Sequence, residues 1–320
     1  MLAATGASPA LAGRPKAPFL TRIDLTDPEW NRDTRARLNG DLDSSKQLVG
    51  WLKGVIQGVR PNEAVRDLMG FEGFSVTRMY RRDDGSWRKL LRETVFYRDL
   101  KTGEILKTWH NPYTDETVRV VPIANDPYNQ TIETNFMGKP WIGNWTRNPD
   151  GTLTLFSGVN LFYPNLLVPS VWQRESAGDF NRVTENFTWT MRAEDLENPA
   201  KTYLPCVGAW QRITPWLPWM LMGTAPGHIN YFSHFAPLPG GIDALAKLPQ
   251  DLIEATRAID PKLLRAPTIE EDTLPNESSL EAYAKEQKPA PVPAGWTPPQ
   301  PPAPPKFEGD KSKLGKQFGH

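Results

Sequence analysis

From about Gln47 to Phe235 the chain repeats one pattern: runs of five to ten residues rich in Val, Ile, Thr, Phe, Tyr and Trp, each closed by a turn signal. Asp83-Asp84-Gly85 separates two such runs and is a strong hairpin signal; Lys101-Thr102-Gly103 and Pro149-Asp150-Gly151 do the same job. The spacing predicts strands near 47–58, 73–81, 86–97, 104–109, 117–122, 130–135, 142–147, 152–157, 183–191, 206–213 and 228–235. So many sequential strands joined by tight turns make an antiparallel meander, which curls into a barrel or splits into a sandwich. The expected fold is therefore mainly β, an antiparallel, barrel-like (calycin- or lipocalin-like) core. The 32 prolines in 320 residues argue against a mostly helical bundle.

The flanks read differently. Residues 1–23 are expected to be a disordered leader and 24–240 the core. Within the core, Thr26-Asp27-Pro28-Glu29 starts a helix with Thr26 as cap, running to about Leu38 and stopping at Gly40. Residues 241–288 are expected to be a helical appendage. There Leu252, Ala255, Thr256 and Ile259 follow helical spacing behind Pro249, and Asn276 caps a second helix reaching about Gln287. Residues 289–320 form a proline-rich arm; nine prolines fall within 289–305, so the arm is extended, and Trp296 inside it favours a strap that packs over a free tail.

Charge narrows the partners. Lys and Arg total 37, as do Asp and Glu, which argues against nucleic acid or an anionic membrane surface. No apolar run approaches the roughly 20 residues that span a bilayer. The apolar leader carries Ala10-Leu11-Ala12, similar to a signal-peptidase site, but no basic segment precedes it. A cytoplasmic protein is expected, or a periplasmic one if a longer precursor carries an export signal. The single cysteine, Cys206, reads as a buried apolar residue; neither an intramolecular disulfide nor a cysteine-based zinc site is possible.

No strong catalytic signature is present: there is no nucleophile elbow, phosphate loop, HExxH or CxxC. Four softer features remain. Residues 210–223 hold Trp210, Trp216 and Trp219 with Met220 and Met222, beside Arg212. That is a wall suited to a mostly aromatic ligand with one anionic or phenolic oxygen, and equally to a core plug or dimer contact. His228 and His234 share one face of a strand but lie about 20 Å apart when it is straight, too far to chelate one metal. Charged and phenolic residues fall inside strands: Arg78 and Tyr80; Arg92, Glu93 and Tyr97; Glu185; Arg212. Alternation places Leu91, Glu93, Val95 and Tyr97 on one face and Arg92, Thr94 and Phe96 on the other. Such groups either line a lumen or face solvent. Finally, Asn125-Asp126-Pro127 makes a rigid turn whose carboxylate is a candidate base or ligand, or simply turn chemistry.

In combination, Gly70-Phe71-Glu72-Gly73-Phe74, Arg92-Glu93-Thr94-Val95, Thr102-Gly103-Glu104-Ile105-Leu106, Trp109-His110-Asn111-Pro112-Tyr113-Thr114, Asn125-Asp126-Pro127 and Pro215-Trp216-Leu217-Pro218-Trp219-Met220 resemble one bacterial family, domain of unknown function 1838. The resemblance covers roughly residues 24–260. It implies bacteria that break down aromatic compounds and one proposed activity: a cofactor-independent lyase that removes a hydroxymethyl group as formaldehyde from lignin-derived aromatic dimers. On that reading the candidate catalytic residues are Glu93, Tyr97, Arg212 and His234. The candidate substrate contacts are Arg78, Tyr80, Asp126, Trp145, Trp216, Trp219, Met220 and Tyr231. No metal or organic cofactor is expected, and the partners are a small aromatic substrate and a second copy in a homodimer. The enzyme reading predicts a closed cavity of roughly a few hundred Å3. A carrier or sensor of apolar ligands predicts the same cavity with few titratable groups. A homodimeric interaction protein predicts the tryptophans buried between chains.

Overall fold

The computed structural model describes residues 19–124, 129–272 and 279–304. Asp126 and Asn276 lie outside the described residues, as do most of the leader and the end of the arm. The chain begins with helix α1 (Pro28–Asn39). Strands follow: β1 (Leu48–Val59), β2 (Arg66–Arg81), β3 (Trp87–Arg98), β4 (Thr108–Asn111), β5 (Glu116–Arg119), β6 (Ile123–Ala124), β7 (Gln130–Ile132), β8 (Asn135–Phe136), β9 (Lys139–Pro140), β10 (Asn144–Arg147), β11 (Thr152–Pro164) and β12 (Phe180–Arg192). A short helix α2 (Ala193–Glu197) precedes β13 (Val207–Thr214) and β14 (His228–Leu238); α3 (Gln250–Ile259) and α4 (Ser279–Glu286) come last.

Ten strands form one antiparallel sheet in the order β10-β11-β12-β13-β14-β1-β2-β3-β6, with β7 also pairing β3. The turn chemistry holds where it was read: Gly85 takes φ +80 between β2 and β3, and the Asp84 carboxylate accepts from the Ser86 amide and hydroxyl. The cap of α1 is Asp27, not Thr26: its carboxylate accepts from the amides of Glu29 and Trp30, while the Thr26 hydroxyl donates to Asp24. Residues 104–107 form no strand; Ile105 makes a single bridge to Arg98, and β4 begins at Thr108.

The sheet curls without closing. Among the described residues no ladder joins β10 to β6 or β7. Helix α1 spans that seam on the concave face. Trp30 packs with Leu153, Leu155 and Met191 of β11 and β12, while Ala36 packs with Met79, Trp87 and Ile132 of β2, β3 and β7. Asn31, fully buried, accepts from the Gly143 amide and the Trp145 indole at 2.9 and 2.8 Å, and donates to the carbonyls of Leu25 and Asp27. Asp33 accepts from the Trp87 indole at 3.0 Å. Arg37 donates to the carbonyls of Asp195, Leu196 and Lys201, and burial pulls its guanidinium down to about 10. A closed ladder is therefore replaced by side-chain hydrogen bonds from one helix.

The convex face of β1–β3 is covered by α3 and the turns around it. Val49, Phe74, Val76 and Phe96 pack on Leu252, Ile253 and Ala266. Three even-numbered arginines of β3 hold this layer. Arg88 pairs with Asp272 at 2.6 Å, Arg92 with Glu271 at 3.2 Å and Arg98 with Asp251 at 2.7 Å. The Glu271 carboxyl sits well below the usual range, first through Arg265 and then through the Thr268 amide, with Arg92 adding to it. Arg92 is thus neither a lumen nor a solvent residue; it anchors the C-terminal layer.

Replacing Asn31 by Ala leaves the Gly143 amide and Trp145 indole unsatisfied at the seam. The expected loss is about 2–4 kcal/mol of unfolding free energy in urea titration, and a change below about 0.5 kcal/mol would show that the seam does not depend on this side chain. Burial pushes the Cys206 thiol up to about 12. At pH 8 it is therefore protonated, and the native protein is expected to react with a thiol-exchange reagent only after unfolding.

Candidate functional site

Registration across the concave face builds the site. Arg212 of β13 stands opposite Tyr231 of β14 on one side and Glu185 of β12 on the other. Glu185 accepts from Trp210 Nε1 at 3.3 Å and pairs with Arg212 Nη1 at 3.2 Å, which fixes the guanidinium. Gly54 of β1 clears the surface between strands: a Cβ there would lie 2.8 Å from the Phe71 ring, so only glycine lets Phe71 lie 5.2 Å from Tyr231. Tyr97 of β3 then reaches Tyr231, their hydroxyl oxygens 3.4 Å apart. Burial pushes both phenols up, so both stay neutral; the Tyr231 hydroxyl opposes the shift at Tyr97.

The tryptophan segment after β13 closes one wall. Leu221 takes φ +56 after a turn of 3-10 helix, the Met220 carbonyl accepts from Asn111 Nδ2 at 2.8 Å, and Trp216 donates to the Ala225 carbonyl at 3.0 Å. Trp219 packs edge-on against Tyr97 at 5.1 Å. The loop between β11 and β12 supplies the opposite wall. It is held by Asn165, which donates to the Ser176 hydroxyl and Gly178 carbonyl, and it brings in Glu175, while Asn181 comes from the start of β12.

Between these walls lies a cleft of about 90 Å3. Tyr97, Arg212, Trp216, Trp219, Glu175 and Asn181 line it. Four of these residues carry buried side-chain atoms with no hydrogen-bond partner: Arg212 Nε, Asn181 Nδ2, Trp219 Nε1 and Glu175 Oε2. Native interiors seldom leave such atoms unpaired, and their gathering at one cleft marks it for a polar ligand atom. Three are donors suited to an anionic or phenolic oxygen; the fourth accepts a proton or a hydroxyl hydrogen.

The outer wall is helix α4, which leads into the C-terminal arm. Ser279, Leu280 and Tyr283 of α4 border the cleft, and Tyr283 packs on Trp172 at 5.9 Å. Beyond α4, the Ala290 amide donates to Glu175 Oε1, Arg174 donates to the Pro291 carbonyl, and the Trp296 ring rests 5.6 Å from the Arg174 guanidinium. The arm is a strap on its own chain.

Of the residues singled out in the sequence, the structure brings Tyr97, Arg212, Tyr231, Trp216 and Trp219 together. Met220 lies beside them, fully buried in the core. Glu93 shares the concave face of β3 with Tyr97 but stands about 13 Å along the strand, outside the cleft, where its charge acts on Lys89. His234 is displaced by parity: even positions of β14 face outward, so it is exposed beside Trp51 at 5.1 Å. The same rule puts Arg78 and Tyr80 on the convex side, where Arg78 donates to the Ser44 carbonyl. Trp145 is bound to Asn31 at the seam. Glu175 carried no sequence signal, because a loop residue has no periodicity to betray its direction; Asn181 lies in the part of β12 before the predicted strand 183–191, and Asn111 was quoted only within the family motif. Among the described residues, no group of three His, Cys, Asp or Glu side chains gathers as a metal site, and no helix is long and apolar enough to cross a membrane.

Trp296→Ala is expected to free the arm. The Ala290 amide should exchange with deuterium about tenfold faster while the sheet amides are unchanged. Equal loss of protection throughout would mean that the arm is part of the global fold.

No curated protein matches the chain. The family model described as "Protein of unknown function (DUF1838)" matches residues 45–287, which contain most of the sheet, the tryptophan segment, the loop carrying Glu175 and α4. The chain, whose concave face builds this cleft, belongs to that family.

Proposed function

We propose that the protein is a cofactor-independent lyase that takes a lignin-derived aromatic dimer and releases its hydroxymethyl group as formaldehyde. The observation that carries this reading is the convergence of three unpaired donors, Arg212 Nε, Asn181 Nδ2 and Trp219 Nε1, with one unpaired carboxylate oxygen of Glu175, against tryptophan and tyrosine rings. The substrate class follows from the family resemblance. The chemistry follows from what these groups do to a phenol bearing a primary hydroxyl.

Consider a dimer whose phenol has become a quinone methide by departure of its benzylic oxygen. Glu175 takes the hydroxyl proton of the neighbouring hydroxymethyl group. Its C–O bond becomes the carbonyl of formaldehyde as the C–C bond breaks. The released electron pair forms a carbon–carbon double bond to the benzylic position, and the quinone-methide electrons return to the ring. The ring leaves as a phenolate, whose oxygen Arg212 and Asn181 hold. Where the departing benzylic oxygen belongs to a ring ether it stays in the product, and the net change is loss of one CH2O. Tyr97 and Tyr231, kept neutral by burial, donate hydrogen bonds without competing for the proton.

A cleft of about 90 Å3 is smaller than the roughly 300–1,000 Å3 that hold ligands of this size. On this reading the conformation described is a closed one, with Leu280 and Tyr283 in the place of one aromatic ring. Entry requires α4 and the strap to move. A carrier of aromatic ligands is the second reading, favoured by the half-buried row Phe187, Trp189 and Trp210, whose rings stack at 5.4 and 6.4 Å. The charged pair at its end favours catalysis.

The test is mass spectrometry of a panel of lignin-derived dimers incubated with the full chain, with and without a chelator. Loss of CH2O from one of them is expected, unchanged by the chelator. Glu175→Gln is expected to lower kcat by about 10²–10⁴-fold and Arg212→Gln to slow it further than it raises KM. An unchanged panel in which dimers still quench the tryptophan fluorescence would establish the carrier instead.

A further inference from the structure

Behind the cleft, the Trp216 ring packs on Tyr113 at 5.4 Å. On the far side of Tyr113 the chain forms an open groove of about 500 Å3, a different site from the cleft. Its walls are the end of β1 and the turn into β2, Pro112 and Tyr113 after β4, and Pro302 of the strap.

The groove holds two guanidinium groups beside one ring. Arg60 lies 4.7 Å and Arg66 5.6 Å from the Tyr113 centroid. The Arg60 side chain is 4% exposed, its Nε has no hydrogen-bond partner, and its nearest carboxylate, Glu63, stands 3.5 Å from Nη1. Arg66 is exposed and makes no ion pair among the described residues. Two neighbouring cations with one loosely held carboxylate leave the groove positive, and a buried guanidinium with an unused N–H is costly until an acceptor arrives. The remaining lining is apolar: Ala64, Val65 at 55% exposure, Pro112 and Pro302. The rim is pinned, because Asn62, at φ +66, donates to the Pro302 carbonyl at 3.0 Å.

We infer that this groove binds a small organic carboxylate with a flat apolar body, an aromatic acid. A carboxylate matches the planar fork of a guanidinium, and a ring fits between Tyr113, Val65 and the two prolines. The inference stands apart from the lyase reading, since no group of the groove belongs to the cleft.

Isothermal titration of the full chain with benzoate, inorganic phosphate and benzyl alcohol tests it. Saturable benzoate binding is expected, with both other probes much weaker. Arg66→Ala, at an exposed position that the fold tolerates, should weaken benzoate about tenfold, Arg66→Lys less, and Arg212→Gln not at all. Absence of benzoate binding overturns the proposal. So does phosphate binding as tightly, which would mark a bare charge patch, or benzyl alcohol binding as tightly, which would remove the anion from recognition. Loss of benzoate binding in Arg212→Gln with none in Arg66→Ala would assign it to the cleft and overturn the groove.

Discussion

The open seam of the sheet is the constraint on which the rest depends. A ten-stranded antiparallel sheet twists and curls, and two edges that approach without pairing leave backbone groups and indole N–H groups needing partners. Asn31, Asp33 and Arg37 meet that need from a single helix. Each is buried and each bonds to a segment far along the chain, so α1 holds the curvature as well as filling it. A helix wedged at one end of the concave face leaves the other end for the tyrosines, the tryptophan segment and the strap.

Strand β3 shows how that curvature sorts chemistry. Its even-numbered Arg88, Arg92 and Arg98 face outward and hold the C-terminal layer through carboxylates. Its odd-numbered residues face inward, from Trp87 bound to Asp33 at one end to Tyr97 bound to Tyr231 at the other. One strand thus fastens α1, the appendage and the cleft. The strap descends from the layer that the arginines hold, and it satisfies one oxygen of Glu175 while leaving the other unpaired.

Much of this was legible in the sequence. The periodicity of two located the long strands to within a few residues, except that β2 starts at Arg66 and β11 runs on to Pro164, where glycines and polar residues blur the pattern. Aspartate–glycine turns placed the hairpins because their φ requirement leaves few alternatives. Tyr97 and Arg212 stood out as polar groups inside apolar strands, whereas Tyr231 entered only as a candidate substrate contact. Glu175 did not stand out, since its direction is set by Asn165 and a loop of irregular backbone, and no local rule encodes it; Asn181 was missed because β12 starts earlier than its pattern shows. Trp145 and Trp216 looked alike as aromatic candidates, yet one serves the seam and the other the cleft.

By itself the sequence determined which residues share a face: alternation in an extended chain is a local consequence of backbone geometry. It set His228 with His234, and Glu93 with Tyr97, and both groupings stand. Which face became the interior was decided by the curl of the sheet around α1, a property of ten paired strands and a helix together. That choice turned His234 to solvent and Arg92 to the appendage, and it brought Arg212, Tyr97 and a loop carboxylate to one cleft.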